Sequence, residues 1–206
     1  IYNELLNNKD GNVADYIPQL AEVNADLFGI SICDISGNIY NIGETNKHFC
    51  VQSVSKPLSY CIARQTSKYD IHNHVGYEPS GQSFNAFVLN KDNLPHNPMI
   101  NSGAMMVCSL IDPNKEPSKR FETINKYYNE LSGRNNVGFD NSVYLSEQHH
   151  ADRNMSLAYY MRENNAYYND NISPSELQDN LNLYFQCCST TINTQMGSIT
   201  ASTLAN

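Results

Sequence analysis

Gln52-Ser53-Val54-Ser55-Lys56-Pro57-Leu58 is the stretch on which the fold turns. Proline is tolerated in a helix only in the first turn, where its missing N–H has no partner to lose. Pro57 therefore predicts a helix that starts a few residues upstream. It runs over residues 53–66, with Val54, Leu58 and Ile62 at helical spacing. Ser53 falls at its N-terminal end. Residues three apart share a helix face, so the Lys56 amine can reach the Ser53 hydroxyl. A lysine kept neutral by burial or a neighbouring cation takes that proton, and the alkoxide attacks a carbonyl. Backbone N–H groups and the dipole at the helix start suit an oxyanion. Ser55 adjoins Lys56 and points to a different face. With 20 Ser and 8 Lys in the chain, chance supplies roughly one Ser-x-x-Lys. The competing reading is an N-cap serine beside a solvated lysine.

Upstream, Phe28-Gly29-Ile30-Ser31-Ile32-Cys33-Asp34-Ile35 alternates apolar and polar side chains, the period of a half-buried strand. Ser36-Gly37-Asn38 is turn chemistry and Ile39-Tyr40-Asn41-Ile42-Gly43 the returning strand. Residues 1–15 predict a helix with a loose end. Residues 76–103, rich in Gly, Pro and Asn, predict ordered loops. Helical patterns follow at 102–111, 118–132, 153–164, 174–188 and 197–205, with no further clear strand. The fold class is α+β, read as one domain over 1–206. A hairpin before Ser-x-x-Lys and helices after it suit the penicillin-recognising fold, where the motif opens a buried helix beneath a sheet. The Ser-Asp-Asn and Lys-Thr-Gly partners of β-lactamases are missing, which disfavours a β-lactam hydrolase.

The net charge of −8, with no Lys/Arg stripe, disfavours nucleic acid as a partner. No apolar run approaches the roughly 20 residues that span a bilayer, so no membrane partner is expected. Cys33, Cys50, Cys61, Cys108, Cys187 and Cys188 form no C-x-x-C pair. They read as reduced thiols rather than a zinc cage, a disulfide framework or a nucleophile. His149-His150 is a poor metal pair, because adjacent side chains point apart.

Several further stretches resemble the glutaminase family, including its animal mitochondrial members. They are Val13-Ala14-Asp15-Tyr16-Ile17-Pro18-Gln19-Leu20, the Gln52–Leu58 stretch, Glu78-Pro79-Ser80-Gly81, and Pro95-His96-Asn97-Pro98-Met99-Ile100-Asn101-Ser102-Gly103-Ala104. Ser146-Glu147, Asp152-Arg153-Asn154 and Tyr184-Phe185-Gln186 complete them. The order and spacing of seven blocks are far more specific than the lone Ser-x-x-Lys. The resemblance implies hydrolysis of L-glutamine to L-glutamate and ammonia on a serine β-lactamase/transpeptidase-like fold, an antiparallel sheet plus a helical lobe, without metal or organic cofactor. It implies Ser53 as nucleophile and Lys56 as its base. Gln52 lies beside them, and Tyr16 and Tyr184 are pocket tyrosines, with Tyr184 passing a proton toward the leaving ammonia. Asn101, Glu147 and Asn154 hold the amino-acid end of the substrate.

Taken singly, each residue has a plainer reading. Asn101 beside Ser102-Gly103 reads as a helix cap, Glu147 as a solvated face, Tyr184 as core and Asn154 as surface. The family's pattern also continues past the Thr203-Leu204-Ala205-Asn206 string for roughly another hundred residues, on the scale of such domains. Those residues carry a further pocket tyrosine, a Lys-Ser-Gly-like strand and the remaining strands of the sheet. The expectation is an incomplete catalytic domain, poorly active alone. The alternative is an inactive glutaminase-like subunit that associates with full-length chains. The resemblance further implies a homo-oligomer, dimer or tetramer, in bacterial cytoplasm or mitochondrial matrix.

Overall fold

The chain runs through α1 (Tyr2–Leu5), α2 (Pro18–Ala21), β1 (Gly29–Cys33), β2 (Ile39–Gly43), β3 (Phe49–Cys50), α3 (Ser55–Thr66) and α4 (Asn101–Leu110). It continues through α5 (Pro117–Leu131), β4 (Gly138–Phe139), α6 (Asn141–His149), α7 (Asp152–Glu163), α8 (Pro174–Cys188), β5 (Thr190–Ile192) and α9 (Thr194–Ala205). The computed structural model describes residues 1–206. Contacts divide it into two compact units. One comprises residues 1–51, 125–147 and 189–206, and the other residues 52–124 and 148–188. Neither unit is one continuous stretch, so no linker in the sequence marks a boundary. No helix is long and apolar enough to cross a membrane.

The first unit holds both sheets. β1 and β2 form the expected antiparallel hairpin, Ile30 opposite Ile42 and Ile32 opposite Tyr40. Its turn is built by Asp34, whose carboxylate accepts from the backbone N–H groups of Ser36 and Asn38 and from Asn38 Nδ2 at 2.8–2.9 Å. Gly37 supplies the left-handed residue, φ 85°. α9 packs across the hairpin, tied by Asn41 Nδ2 to Gln195 Oε1 at 2.6 Å and Ser202 Oγ to the Asp34 carbonyl at 2.7 Å. Ile32 and Tyr40, which share the other face, stay exposed.

A second sheet, order β3-β5-β4, lies outside the sequence expectation of no further strands. It pairs Phe49 with Ile192 and Gly138 with Thr191, all antiparallel. Strands of two or three residues are too short for a period-2 pattern to register. The helix expected over 1–15 is also corrected: only Tyr2–Leu5 is helical. Asn8 Oδ1 takes the Asp10 backbone N–H at 3.0 Å, the local competition by which Asn ends helices.

The second unit is helical. α4 packs against α3, α7 and α8, and every residue from Ser102 to Leu110 is buried. A helix apolar all round belongs at the centre of a core. Its C-terminal carbonyls are capped by buried Arg120. Nε donates to the Ile111 carbonyl at 2.9 Å and Nη2 to the Cys108 carbonyl at 2.7 Å, while Nη1 bonds Asn180 Oδ1 at 2.8 Å. A cation is favourable at that end of a helix. α8 keeps its expected bounds and opens on a capping box. Ser173 Oγ accepts from the Glu176 N–H, and Glu176 accepts from the Ser173 N–H at 2.8 Å.

Between residues 74 and 100 no helix or strand forms, as expected, and the loops are pinned by their own bonds. The Gly76 N–H meets the Pro95 carbonyl at 2.8 Å, and Asn97 Nδ2 the Glu78 carbonyl at 3.0 Å. Gly103 lets this loop lie against α4: a Cβ there would collide with the Asn97 carbonyl. We expect Gly103→Ala to lower stability by about 3 kcal/mol, as overpacking against backbone does, measured by urea unfolding. An unchanged midpoint would contradict the close approach.

Candidate active site

Chain geometry sets up Ser53 before any side chain acts. Gln52 has φ 46°, a left-handed conformation uncommon for a residue with a Cβ. A 3-10 turn over Gln52–Val54 then leads into α3 at Ser55. Ser53 sits on that turn with its side chain exposed, whereas Ser55 and Lys56, two and three residues later, are buried. Pro57 falls in the first turn of α3, as the sequence requires. Val54 is the N-cap and offers no side-chain cap, so the reading of Ser53 as an N-cap serine fails.

Lys56 is 4% exposed. No carboxylate pairs with it. Its Nζ donates to Asn101 Oδ1 at 2.9 Å and lies 5.8 Å from the centre of the Phe84 ring. Burial pulls its pKa below the ordinary lysine value, with the Cys188 thiol of α8 acting weakly the other way. The amine is thus moved toward the neutral form that a base requires. Lys56 spends this hydrogen bond on Asn101, not on Ser53.

Asn101 is the first residue of α4, but Ile100, not Asn101, is the cap. The Asn101 backbone N–H goes to the Phe84 carbonyl at 2.8 Å. Its Nδ2 donates to Asn154 Oδ1 at 3.1 Å. Asn154 is half-buried on α7 rather than on the surface. Next to it, Arg153 donates through Nε to the Asn85 carbonyl at 3.0 Å and stacks 4.1 Å over Phe87. Asn154 thus faces Asn101 while Arg153 holds the loop that carries Phe84. Gln52 Nε2 is buried with no hydrogen-bond partner, a donor held ready at a cost that a ligand would relieve. Tyr184, 5% exposed on α8, belongs to the helix that packs against α3 and the Ser53 turn.

The first unit holds a pair of its own. Tyr16 Oη donates to Glu147 Oε1 at 3.0 Å across 131 residues of sequence. Glu147 is 8% exposed, not the solvated face its neighbours Gln148-His149-His150 suggest. The helix carrying it, α6, escapes a hydrophobic-period search. Its buried residues are Val143 and Glu147, and a carboxylate on the inward face erases the signal. Asp140 Oδ1 caps it through the Ser142 and Val143 N–H groups. Cys50 is no nucleophile: burial first, then Asp140 and Glu147, push its thiol up to about 12. All six cysteines are free.

Sequence reasoning missed Phe84, Arg153 and Arg120. The aromatic and Arg residues of the Phe84–Phe87 loop and the Asp152-Arg153-Asn154 block carry no periodicity, and their roles depend on long-range packing.

The model of the glutaminase family matches residues 11–206. The chain belongs to the glutaminase family. Among relatives of this glutaminase-family chain, the mitochondrial liver-isoform glutaminase of Mus musculus is 39% identical over 207 residues, covering 100% of this chain and 34% of the relative. A glutaminase from Nostoc sp. is 36% identical over 200 residues, covering 96% of this chain and 58% of that one. The chain thus spans about a third of the length of the mouse relative. Among solved structures, Mglu in its native form is similar over 100% of this chain and 48% of its own, with TM-score 0.88 and 27% identity. Mglu in its tris and glutamate form gives TM-score 0.89 and 28% identity, over 100% of this chain and 45% of that one. The mixed arrangement of helices and small antiparallel sheets matches these structures.

Proposed function

We propose that this chain supplies the nucleophile and most of the substrate pocket of an L-glutamine amidohydrolase, on a serine β-lactamase-like fold and within a homo-oligomeric protein. The observation that carries the reading is Lys56: a buried amine with no carboxylate partner, held by a neutral amide, three residues along the chain from the exposed Ser53. Elsewhere a buried lysine of this kind would be a pure cost to stability.

In this reading neutral Lys56 takes the proton of Ser53 Oγ, and Oγ attacks the side-chain carboxamide carbon. The tetrahedral oxyanion collapses as the nitrogen is protonated, with Tyr184 as the relay, and ammonia leaves. Water then attacks the Ser53 ester, and glutamate departs with Ser53 restored. Free glutamine is a zwitterion. Its ammonium suits buried Glu147, with Tyr16 as that carboxylate's hydroxyl partner. Its carboxylate suits neutral donors, and Gln52, Asn101 and Asn154 offer amide N–H groups. The form of a similar protein, Mglu with tris and glutamate, supports a glutamate-sized ligand. Amide hydrolysis by this route needs no cofactor.

The test is ammonia release from L-glutamine and L-asparagine and ring opening of a β-lactam, measured on the chain and on the longest natural polypeptide that contains it. Preferred turnover of L-glutamine supports the proposal. Preferred turnover of either competitor contradicts it. No turnover, together with association with a longer glutaminase chain, favours the inactive-subunit alternative.

A further inference from the structure

The two hydrogen bonds that link α3, α4 and α7 have a direction. Lys56 Nζ is a donor in both of its charge states, so the Asn101 atom facing it at 2.9 Å is the carbonyl oxygen, Oδ1. That bond alone does not hold the Asn101 amide once Lys56 is neutral, because the lone pair of the amine can then accept from an Asn101 N–H. The second bond does. Asn101 Nδ2 donates to Asn154 Oδ1 at 3.1 Å, and a flipped Asn101 would set two carbonyl oxygens against each other. We propose that Asn154 and Asn101 form a two-amide relay that aims the Lys56 amine, Asn154 fixing which end of Asn101 faces α3 and Asn101 Oδ1 holding one Lys56 hydrogen. This makes Asn154 a positioning residue that acts on the base through Asn101. Naming Lys56 a base rests on the proposed function; the relay itself does not.

Amides suit this task better than carboxylates. An aspartate at 101 would hold Lys56 as firmly, but its charge would fix the amine as ammonium and remove it as a proton acceptor. A neutral acceptor orients without charging. The surroundings agree. Of the elements packed against α3, α8 brings the Cys188 thiol to Lys56, while α4 directs its own titratable group, Cys108, to Cys187 and Arg120. The loop brings the apolar ring of Phe84. Relay geometry also limits what Asn101 can give a ligand. With Oδ1 on Lys56 and one Nδ2 hydrogen on Asn154, one N–H is left, whereas both Asn154 Nδ2 hydrogens stay available.

The experiment reads Lys56 directly, without turnover. The chain is prepared with 13C at lysine Cε, and the Cε shift of each lysine is followed by NMR against pH. The Lys56 signal is identified by its loss in Lys56→Met. In the wild type Lys56 titrates below the ordinary lysine value. Asn101→Asp moves its midpoint up by about 1–3 pH units. Asn101→Leu, which removes the acceptor of the ammonium, moves it down. Asn154→Leu also moves it down, because the released Asn101 amide can turn its N–H donors to the amine. Circular dichroism checks that each variant folds, and Asp and Leu at 101, with opposite expected signs, guard against the loss of either. An unshifted midpoint in the folded Asn101 variants overturns the relay. A shift at 101 with none in Asn154→Leu overturns the role of Asn154. Shifts as expected in a protein that releases no ammonia from glutamine support the relay and count against the proposed function instead.

Discussion

Ser53→Ala is expected to lower kcat for ammonia release from L-glutamine by roughly 10^4 to 10^6-fold, the scale on which loss of a serine nucleophile acts. Its effect on stability is expected within about 0.5 kcal/mol. The contrast follows from the structure. Ser53 lies exposed on a 3-10 turn, so the fold loses little with its hydroxyl. Ser55, buried two residues on, is the control: Ser55→Ala removes a buried hydroxyl from the first residue of α3 and touches stability more than chemistry. Comparable loss of kcat in both variants, or full activity in Ser53→Ala, would contradict the assignment.

Lys56→Met is the second large effect, and its two consequences run in opposite directions. Ammonia release falls by a factor comparable to Ser53→Ala, since base and nucleophile act as one unit. Stability rises. The amine is buried without a carboxylate, so its charged form is a cost to the fold, and a volume-matched apolar side chain removes that cost. A gain of about 1 kcal/mol corresponds to ~2–4 °C in Tm for a chain of this length. The pH dependence carries the sign. Lys56 has a lowered pKa in the folded state and an ordinary one when unfolded. Between those two values the unfolded chain binds more protons than the folded one. Wild-type stability therefore rises with pH through that window, and as pH falls through the folded pKa the contribution is lost. Lys56→Met should flatten that part of the profile. Calorimetry across the window checks both statements, and a destabilised Lys56→Met would mean that the amine is retained for the fold rather than for chemistry.

The hairpin was legible because five-residue strands alternate over a turn whose Asp34, Gly37 and Asn38 each have a local reason to be there. Pro57 fixed the start of α3 to within a turn, and the helical pattern over 174–188 coincides with α8. What escaped has a physical cause in each case. β3, β4 and β5 are too short to show a period. α6 turns a glutamate inward. The two units are assembled from interleaved segments, so composition never changes along the chain where the contacts do. At the site, the residues were found by their resemblance to a family, but not what they do to one another. Asn101 looked like a helix cap because Asn before Ser-Gly usually is one. Its true partners, Lys56 and Asn154, lie 45 and 53 residues away, and only the packing of α3 and α7 on α4 brings them together.

Ser53 is the residue proposed to carry the acyl group. The most direct measurement is acid quenching during turnover of L-glutamine, followed by peptide mapping by mass spectrometry, on the longest natural polypeptide that contains these residues. One glutamyl ester is expected, on the hydroxyl of Ser53, and it disappears when substrate is exhausted. A glutamyl group on any other residue, or turnover that persists in Ser53→Ala, would contradict it.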